Sequence, residues 1–480
     1  MLTTDDIVAA EVGIVPAITS ITLDSRLVTE GALFIAITGN HADGLTFIED
    51  AIRRGAAAVL VATEQAARLR TLSVPVLTSD NVRRSAALLA TRFYTNSPKT
   101  LVGITGTNGK TSTAFLTEQL WELNNCAAAS MGTLGVHSQK MVVAGTLTTP
   151  DPLTLHQNLQ KLTETGVTHV ALEASSHGLE QHRLDGLHLE AAAFLNLTRD
   201  HLDYHKTEEA YFSAKSLLFS RLLPEGKTAI LPVDSPYFGA LRDICTAKNH
   251  KIITFGENAA DLQVCRISPT PKGQELTLSL FGESFEAFLP LFGTFQSTNI
   301  LAAIGLAYAT GTPIDALVAS LPRLSGIKGR MENVSPANSP FNIFIDYAHT
   351  PDALLKALQS VRAHTTGNIH VVFGCGGDRD TGKRPIMGKI AADFADFTII
   401  TDDNPRTEDA KTIREAIAAA NPNALTIGER TLAIATALNN AKAGDSVLIA
   451  GKGHEMGQVV GTVTLPYSDH AAVKQVSGIA

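Results

Sequence analysis

The sequence predicts an α/β protein with three domains and mainly parallel sheets. Short apolar runs alternate with helical segments along the chain, a pattern typical of parallel sheets covered by helices. The length of 480 residues suits about three domains of ordinary size. Two polar stretches, TNSPKT and SGIKGRME, interrupt the alternation. We therefore expect domains at residues 1–97, 98–327 and 328–480.

The composition excludes several classes of function. The formal net charge is −8, so a basic surface for nucleic acid or an anionic membrane is not expected. The four cysteines are scattered, and no CxxC pair indicates a zinc site or a disulfide framework. The first residues lack the segments of a signal peptide, and no apolar run approaches the roughly 20 residues of a membrane helix. We expect a cytoplasmic protein without nucleic-acid or membrane partners.

The predicted strands follow one another through the three blocks. The first block contains ALFIAI, AAAVLVA and VPVLTS, and the second contains TLVGITG, THVALEAS and AAAFLNLT. The third contains FNIFIDYAH, NIHVVFGCGG, DFTIITDDNP and GDSVLIAGKG, which all end in glycine or polar residues. Ligands of parallel α/β sheets bind beyond the carboxyl ends of the strands, so we expect the functional residues there.

The stretch TLVGITGTNGKTS (100–112) combines an apolar strand, a Gly-rich turn and the start of a helix. Backbone N–H groups of such a loop bind polyphosphate together with the helix N-terminus. Lys110 would reach the β- and γ-phosphates, and the Thr111 hydroxyl would bind Mg²⁺. The pattern G-x4-G-K-[ST] fails by one position, because Ile104 stands where it requires glycine. A glycine-rich turn without function is the alternative.

A second stretch, GDRDTGKR (377–384), matches the spacing of that pattern up to its last position. Asp378 and Asp380 would place carboxylates against phosphate, and Arg384 replaces the hydroxyl that binds Mg²⁺. We therefore expect this loop to bind a zwitterionic ligand and not a triphosphate.

Candidate metal ligands follow the next strands of the second block. Glu173 ends a strand and is placed to hold Mg²⁺ directly or through water, although a solvated carboxylate is the alternative. His201, Asp203 and His205 have a spacing that suits zinc, but no cysteine or clear third ligand accompanies them. Mg²⁺ prefers oxygen, so at most one of these histidines is expected to be a ligand.

Lys215 lies in the apolar helical segment AYFSAKSLLFS. A lysine that extends from a half-buried helix into solvent is the simpler interpretation. A desolvated lysine with a lowered pKa is the alternative. Such an amine could react with CO₂ to form a carbamate, which is a carboxylate on a long arm and a good Mg²⁺ ligand.

Ten motifs together resemble one family. In chain order they are GTNGKTS, LEASSHGLEQHR, NLTRDHLDYH, YFSAKSLLF, FQSTNILAA, GRME, DYAHTPDAL, GCGGDRDTGKRP, DDNPR and GKGHE. They resemble the Mur ligases of peptidoglycan synthesis, and among them the ligases that add an amino acid to UDP-N-acetylmuramoyl-L-alanyl-D-glutamate. The resemblance covers nearly the whole chain. It implies an N-terminal domain that binds the UDP end of the substrate, a central P-loop-type ATPase domain with a mainly parallel sheet, and a C-terminal Rossmann-like domain that binds the amino acid.

The resemblance also implies the roles of individual residues. The uridine diphosphate part would contact Leu23, Ser25, Asn40, His41 and Ala42, and the muramoyl dipeptide would contact Thr148, Thr149, Ser175, Gln181 and Arg183. ATP would contact Gly106, Thr107, Asn108, Gly109, Lys110, Thr111, Ser112, Asn299, Arg330 and Asp346. One Mg²⁺ would be held by Thr111 and Glu173, and a second by Lys215 as N6-carboxylysine, with His201 nearby. The family pattern is not kept in ILPVDSPYF (230–238), nor at Gln296, where the family usually has asparagine.

The chemistry implied by the family is an ATP-dependent ligation. The γ-phosphoryl group of ATP passes to the D-Glu γ-carboxylate, and the amine of the incoming amino acid then attacks the acyl phosphate. Two anions must approach each other, and Lys110 with two Mg²⁺ would offset their repulsion. His201 either helps to position Mg²⁺ or accepts a proton. The substrates are small molecules, and we expect a monomer.

The segment DDNPRTED (402–409) is expected to select the amino acid. Arg406 would pair bidentately with the distal carboxylate of meso-diaminopimelate. Asp403 and Asn404 would accept hydrogen bonds from its distal ammonium. Pro405 stiffens the loop, and DNPR resembles the family members that add diaminopimelate. The pocket would be completed by Arg379, Gly451 and Glu455. An arginine that only caps the following helix is the alternative.

Other functions compete with this one. The nearest alternative function is the same ligation with L-lysine. Lysine-adding relatives commonly lack this arginine, but exceptions exist. A folylpolyglutamate synthase shares the fold and the acyl phosphate chemistry. A regulatory nucleotide-binding module without ligation would bind ATP, form no amide and leave Lys215 unmodified.

Overall fold

The structure is a computed structural model that describes residues 8–9, 17–39, 43–69, 71–145, 147–198, 200, 202–336 and 338–477. The chain forms two compact units, residues 1–255 with 302–313 and residues 256–301 with 314–480. Helices alternate with the strands of mainly parallel sheets, so the predicted α/β class is confirmed. In the part of the chain that is described, no helix has the length and apolar character needed to cross a membrane.

The first sheet has five strands in the order β1-β5-β4-β3-β2, and only β1 is antiparallel to its neighbour. Its strands are β1 (Val8–Ala9), β2 (Ser20–Thr22), β3 (Ala32–Ile35), β4 (Ala56–Ala62) and β5 (Val76–Ser79). The helices of this region are α1 (Ile48–Arg53) and α2 (Val82–Phe93). Short 3-10 helices lie at Ser25–Leu27, Gly44–Phe47 and Thr63–Leu69.

The second sheet contains the phosphate-loop strand. Its strands are β6 (Thr100–Thr105), β7 (Ala128–Gly132), β8 (Gly135–Ser138), β9 (Val142–Val143), β10 (His169–Glu173), β11 (Ala191–Phe194), β12 (Thr228–Pro232) and β13 (Lys251–Gly256). They lie in the order β13-β12-β11-β6-β10-β7-β8-β9, and only β8 and β9 are antiparallel to their neighbours. The helices are α3 (Lys110–Leu123), α4 (Pro152–Glu164), α5 (Ser176–Glu180), α6 (Leu202–His205), α7 (Glu208–Leu217) and α8 (Phe238–Ala247).

An antiparallel meander follows, which the strand–helix alternation did not predict. It consists of β14 (Leu262–Thr270), β15 (Gly273–Leu280) and β16 (Glu283–Leu289). In β15 buried and less buried residues alternate, as expected for a strand with one face on a core. The helices α9 (Phe295–Ala309) and α10 (Ile314–Ser320) and a 3-10 turn at Leu321–Arg323 come next.

The third sheet has the order β17-β18-β22-β19-β20-β21, and only β17 is antiparallel. Its strands are β17 (Glu332–Asn333), β18 (Asn342–Asp346), β19 (Ile369–Phe373), β20 (Phe397–Ile400), β21 (Leu425–Thr426) and β22 (Ser446–Ala450). Its helices are α11 (Pro351–Ala363), α12 (Lys383–Phe394), α13 (Ala410–Ala418), α14 (Arg430–Asn440) and α15 (Asp469–Ser477). A separate hairpin is formed by β23 (Gly457–Val460) and β24 (Val463–Pro466).

The central strands are buried on both faces. Every residue of β6, β19 and β22 is buried, as parallel strands between two layers of helices require. Each large apolar side chain removed from water stabilises such a core by about 1.5–3 kcal/mol. Polar side chains therefore gather beyond the strand ends, where these apolar runs stop.

The start of α7 shows how local sequence positions a later functional residue. The Thr207 side chain accepts a hydrogen bond from the Ala210 N–H at 3.1 Å, and Glu208 and Glu209 occupy the first turn. A threonine cap of this kind stabilises a helix by about 1 kcal/mol, and acidic residues favour its N-terminus. The helix continues to Lys215, which lies on its last turn.

A buried carboxylate on α3 contacts a histidine on β8. Glu118 Oε1 lies 2.7 Å from His137 Nδ1, and Glu118 Oε2 accepts from Ser130 Oγ at 2.6 Å. The hydrogen bond with Glu118 raises the pKa of His137, although partial burial opposes the shift.

We expect His137 to stabilise the fold more at acid than at alkaline pH. A histidine whose pKa is raised on folding contributes stability that is fully present below its unfolded pKa of about 6.5 and is lost as the pH rises through the folded pKa. Urea unfolding of the wild type and His137→Gln should show a larger difference in stability near pH 5.5 than near pH 8.5, about one unit below and two units above that unfolded pKa. An equal difference at both pH values would contradict this pairing.

Candidate active site

The predicted phosphate loop joins β6 to α3. Gly109 occupies the position before the helix with φ +86°, a backbone conformation that favours glycine. Lys110 Nζ donates to the backbone oxygens of Gly106 at 2.8 Å and Thr107 at 2.9 Å, so the ammonium lies over the loop. A loop of backbone N–H groups at a helix N-terminus with a lysine beside it can bind phosphate.

Asn196, which follows β11, anchors this loop. Its backbone oxygen accepts from Thr107 N at 2.9 Å, and its side-chain oxygen accepts from Asn108 N at 2.9 Å. Its amide nitrogen donates to the Asn108 oxygen at 3.1 Å. Asn196 was not among the predicted site residues, although its position beyond a strand end was a usable signal.

Lys215 is buried beside the same loop, which favours the interpretation of a desolvated lysine. Lys215 is 1% exposed. Its Nζ donates to the Gly106 oxygen at 2.8 Å and lies 4.4 Å from the centre of the Tyr211 ring. Burial, with the charge of Lys110, holds the pKa of Lys215 well below its usual value. The side chains of Lys110 and Lys215 thus donate to one carbonyl oxygen.

Glu173 is the last residue of β10, the strand next to β6, and it pairs with Ile104 of β6. Its carboxylate is buried and accepts from the Thr133 N–H at 2.8 Å and the Thr133 hydroxyl at 3.1 Å. The carboxylate is therefore held at the strand end, next to the strand that carries the phosphate loop. Thr133 was not predicted, because its contact crosses from the β7–β8 turn.

The residues predicted to contact the muramoyl dipeptide come together near Glu173. Arg183 donates to the Thr149 oxygen at 2.7 Å and to the Gln181 side-chain oxygen at 2.8 Å. The Thr149 hydroxyl accepts from Ser175 N at 3.0 Å, and the Thr148 hydroxyl lies 3.1 Å from that of Thr133.

The other candidate residues of the first unit lie partly inside and partly outside the described ranges. Leu23 and Ser25 follow β2, where the Asp24 side chain caps the 3-10 helix that begins at Ser25. His205 is buried and its Nε2 lies 2.9 Å from Ser176 Oγ. The predicted site residues outside the described part of the chain are Asn40, His41, Ala42 and His201.

The predicted nucleotide-binding residues of the second unit each contact a neighbouring residue of that unit. Asn299 is buried and donates to the Gln296 side-chain oxygen at 3.0 Å, so the glutamine that departs from the family pattern orients it. The Arg330 guanidinium lies 4.8 Å from the Tyr347 ring centre. Asp346 accepts from Met331 N at 2.6 Å and Ala348 N at 2.8 Å.

The third sheet carries a cavity of about 630 Å³ beyond the carboxyl ends of its strands. Its charged lining consists of Arg379, Asp380, Lys383, Asp403, Arg406 and Glu455, with Tyr347, Asn404 and Gly451 among the other lining residues. Three cationic and three anionic side chains therefore line the cavity, and such a set can pair with both charges of a zwitterionic ligand. The loop GDRDTGKR contributes to this cavity, as expected, while its Arg384 is buried and pairs with Glu408 at 2.8 Å.

The Arg406 backbone is held by the β23–β24 hairpin. Arg406 N donates to the Val459 oxygen at 3.0 Å, and its own oxygen accepts from Gly461 N at 2.7 Å. Its φ of +51° is uncommon for a non-glycine residue. Its Nη1 donates to the Gly377 oxygen at 2.8 Å, which points the guanidinium to the GDRDTGKR side of the cavity.

Asn404 differs from its expected role. Its side-chain oxygen accepts from Lys452 Nζ and from Val459 N, both at 2.9 Å, and its nitrogen donates to Glu455 Oε2 at 3.0 Å. Both lone pairs of the amide oxygen are therefore in use. We expect Asp403 and Glu455, and not Asn404, to accept hydrogen bonds from an ammonium in this cavity.

Family models match along the chain. The Mur ligase family catalytic domain matches residues 17–94, the Mur ligase middle domain matches 104–307, and the Mur ligase glutamate ligase domain matches 329–453. A protein of Mesorhizobium japonicum, UDP-N-acetylmuramoyl-L-alanyl-D-glutamate–2,6-diaminopimelate ligase, is 47% identical over 457 residues. That match covers 95% of this chain and 94% of the relative.

Solved structures show the same likeness. A structure of UDP-N-acetylmuramoyl-L-alanyl-D-glutamate–2,6-diaminopimelate ligase matches with a TM-score of 0.73 at 35% identity, covering 96% of this chain and 95% of that chain. Folylpolyglutamate synthase of Mycobacterium tuberculosis has a TM-score of 0.63 at 17% identity, covering 83% and 95%, and this likeness shows the fold alone. With three family domains in order and a relative of nearly equal length, this chain belongs to the Mur ligase family of ATP-dependent ligases that form peptide bonds.

Proposed function

We propose that this chain joins meso-diaminopimelate to the D-Glu γ-carboxylate of UDP-N-acetylmuramoyl-L-Ala-D-Glu, with ATP as co-substrate. The observation that carries the proposal is the charge-balanced cavity of the third sheet, into which the DNPR segment brings Arg406. The relative that is 47% identical carries the name of this reaction. The reaction would take place in the cytoplasm, during the synthesis of peptidoglycan precursors.

The charges of the cavity match the distal end of meso-diaminopimelate. That end carries a carboxylate and an ammonium. The planar Arg406 guanidinium can pair bidentately with the carboxylate, while Asp403 and Glu455 can accept from the ammonium. Arg379 adds a second guanidinium on the same wall. L-Lysine has no distal carboxylate, so it would leave Arg406 without its anionic partner.

The phosphate loop supports the first chemical step. The D-Glu γ-carboxylate attacks the γ-phosphorus of ATP, the bond to the bridging oxygen breaks, and an acyl phosphate and ADP result. Lys110 and the loop N–H groups oppose the repulsion between the two anions. The amine of diaminopimelate then attacks the acyl carbon, loses a proton, and expels phosphate to leave the amide.

The residues of the loop region fit Mg²⁺. We assign Thr111 and Glu173 to one ion and Lys215, as a carbamate, to a second with His201. In the described ranges no three His, Cys, Asp or Glu side chains form a metal site by themselves. Carbamate and phosphate oxygens would therefore have to complete the ligand sets, as Mg²⁺ prefers. Bound Mg²⁺ would neutralise charge that develops on the phosphoryl group.

The surroundings of Lys215 favour its carbamylation by CO₂. Its low pKa keeps part of the amine neutral, which is the form that attacks CO₂. Lys110 and Lys215 donate to the same Gly106 oxygen, so two ammonium groups there would repel each other. A carbamate on Lys215 would replace this repulsion by attraction.

The packing of Gly132 against Glu173 allows a test of the metal assignment. A Cβ on Gly132 would lie 2.0 Å from Glu173 Oε1 and 2.3 Å from its Cδ, so the carboxylate must move. We expect Gly132→Ala to lower kcat by roughly a hundredfold, because small displacements of a positioned group have effects of that size. Gly239→Ala is the control, since a Cβ there meets nothing within 4 Å. Equal kcat values in the two variants would contradict the assignment of Glu173.

The domain boundaries near residues 97 and 327 and a monomeric state are part of the same proposal. The first boundary falls between the family matches 17–94 and 104–307, and the second falls between 104–307 and 329–453. Light scattering of the purified chain would check the monomer.

The experiment for the proposed function is an ATP-dependent ligation assay with UDP-N-acetylmuramoyl-L-Ala-D-Glu. Meso-diaminopimelate and L-lysine are offered separately, and the products are identified by mass. We expect a product with diaminopimelate. A product with L-lysine alone would overturn the substrate assignment, and no amide product with either would overturn the proposed ligation.

A further inference from the structure

Lys452 is a fully buried lysine behind the amino-acid cavity. It follows Gly451 just beyond β22, and its side chain has 0% exposure. Its Nζ donates to Asn404 Oδ1 and to Glu455 Oε2, both at 2.9 Å, and lies 4.0 Å from Asp403 Oδ1. All three partners line the cavity. The sequence motifs gave Lys452 no role.

A buried ammonium is costly unless it is paired and hydrogen-bonded. The partners of the Lys452 ammonium are side chains that line the cavity. Lys452 can therefore influence the cavity surface although it is not exposed itself. Glu455 Oε2 also accepts from Asn404 Nδ2 at 3.0 Å, which closes a triangle of contacts between Lys452, Asn404 and Glu455. Val459 N holds the amide oxygen of Asn404 from the hairpin side. The orientation of the Glu455 carboxylate is thus determined by Lys452 and Asn404 together.

The second consequence concerns charge. Asp403 is 6% exposed, and a carboxylate in such a place tends to take up a proton. Burial does raise the pKa of Asp403, whereas the charges of Arg430 and Lys452 lower it. Arg430 is already paired with Asp469 at 2.7 Å. The charges of Arg430 and Lys452 therefore both act on Asp403, and Lys452 is the one of the two that also donates to Glu455.

We infer that Lys452 is a positioning residue for the incoming amino acid: together with Asn404 it orients the Glu455 carboxylate, and its ammonium lies beside Asp403, so that these two carboxylates accept from the ligand's distal ammonium. The inference rests on the proposed function, because it assigns the ammonium of meso-diaminopimelate to this wall. Lys452 itself does not touch the ligand. It acts on recognition through the residues that do.

The test compares Lys452→Met, Lys452→Gln and Lys452→Arg with the wild type in the ligation assay. Methionine keeps most of the volume without charge or donors, glutamine keeps a donor without the charge, and arginine keeps both. We expect Lys452→Met to raise the KM for meso-diaminopimelate about tenfold to a hundredfold, the range for a lost hydrogen bond to a charged group. The KM values for ATP and the UDP-linked substrate should stay unchanged. Lys474→Met, a substitution of an exposed lysine on α15, is the matched control.

The pH dependence separates charge from packing. The other charged or titratable groups around this wall line the cavity or interact with Asp403 or Glu455: Tyr347, His349, Cys375, Arg379, Asp380, Lys383, Arg406, Arg430, His454 and Asp469. They are retained in every variant. Without the charge of Lys452, the pKa of Asp403 should rise. As the pH is lowered, binding of meso-diaminopimelate should therefore begin to weaken at a higher pH in Lys452→Met and Lys452→Gln than in the wild type. Lys452→Arg should restore the wild-type profile in large part.

The outcomes distinguish the inference from the proposed function. A wild type that forms no diaminopimelate product overturns the proposed function and the inference with it. If the wild type forms the diaminopimelate product, and Lys452→Met and Lys452→Gln keep the wild-type KM and pH profile, the inference alone is overturned. A parallel rise of all three KM values would indicate a general structural role and would also overturn it. If Lys452→Met does not fold, Lys452→Gln and Lys452→Arg decide by the same criteria.

Discussion

Lys215→Met should lower kcat by about a thousandfold, the size of effect found when a group that stabilises transition-state charge is removed. Methionine fills the buried space beside Tyr211 but cannot form a carbamate. The variant should therefore fold and bind ATP, yet lack one oxygen ligand for Mg²⁺. Ligation rates at saturating substrates, with the melting temperature, would measure both expectations.

A carbamate can also be observed directly. Wild-type protein equilibrated with ¹³C-bicarbonate should show a carbamate carbon signal by NMR, and Lys215→Met should not. Lys248→Met, at an exposed lysine after α8, should keep both the signal and the activity. Wild-type kcat in Lys215→Met would contradict the role assigned to Lys215, whatever the spectrum shows.

Arg406→Lys should lower kcat/KM for meso-diaminopimelate by roughly a hundredfold, because lysine keeps the charge but loses the planar fork that binds a carboxylate bidentately. A hundredfold loss corresponds to about 2.8 kcal/mol, which lies in the range for a lost hydrogen bond to a charged group. Both residues meet the same backbone requirement at φ +51°, so the change of side chain is isolated. Kinetics with each amino acid offered alone would measure the effect.

The discrimination between substrates gives a second measure of Arg406. The ratio of kcat/KM for meso-diaminopimelate to that for L-lysine should fall in Arg406→Lys, because only the first substrate presents a distal carboxylate. Arg323→Lys, at an exposed arginine, is the control. An unchanged ratio would mean that Arg406 only supports the loop, which is the alternative interpretation of this residue.

Much of the site could be predicted where one short segment contains both the structure and the chemistry. The strand, the glycines and Lys110 of the phosphate loop are consecutive, so their arrangement follows from local geometry. Glu173 and the DNPR segment follow apolar strands, and the carboxyl ends of parallel strands are where ligands bind. The meander β14–β16 was not predicted, because its strands follow one another without the helices that separate most strands elsewhere in the chain.

Contacts between distant segments could not be predicted in this way. Asn196 holds the phosphate loop from the next strand, and Thr133 holds Glu173 from the β7–β8 turn. Asn404 lines the cavity and was expected to accept a hydrogen bond from the ligand's ammonium, but Lys452 and the hairpin occupy its oxygen. Nothing in the neighbouring residues of the chain indicates such partners, because hydrogen bonds between side chains depend on the final packing.

The α/β class, the order of the motifs and the residue types of the chemistry could be predicted from the residues alone. These depend on periodicity and on short segments whose geometry is local. The tertiary structure alone shows that Lys215 is buried against the Gly106 carbonyl, where burial lowers the pKa of its amine. It also decided that Lys452 stands behind Asp403 and Glu455. Burial and the distance between charges arise when remote segments pack together, and they set the protonation and orientation on which the chemistry depends.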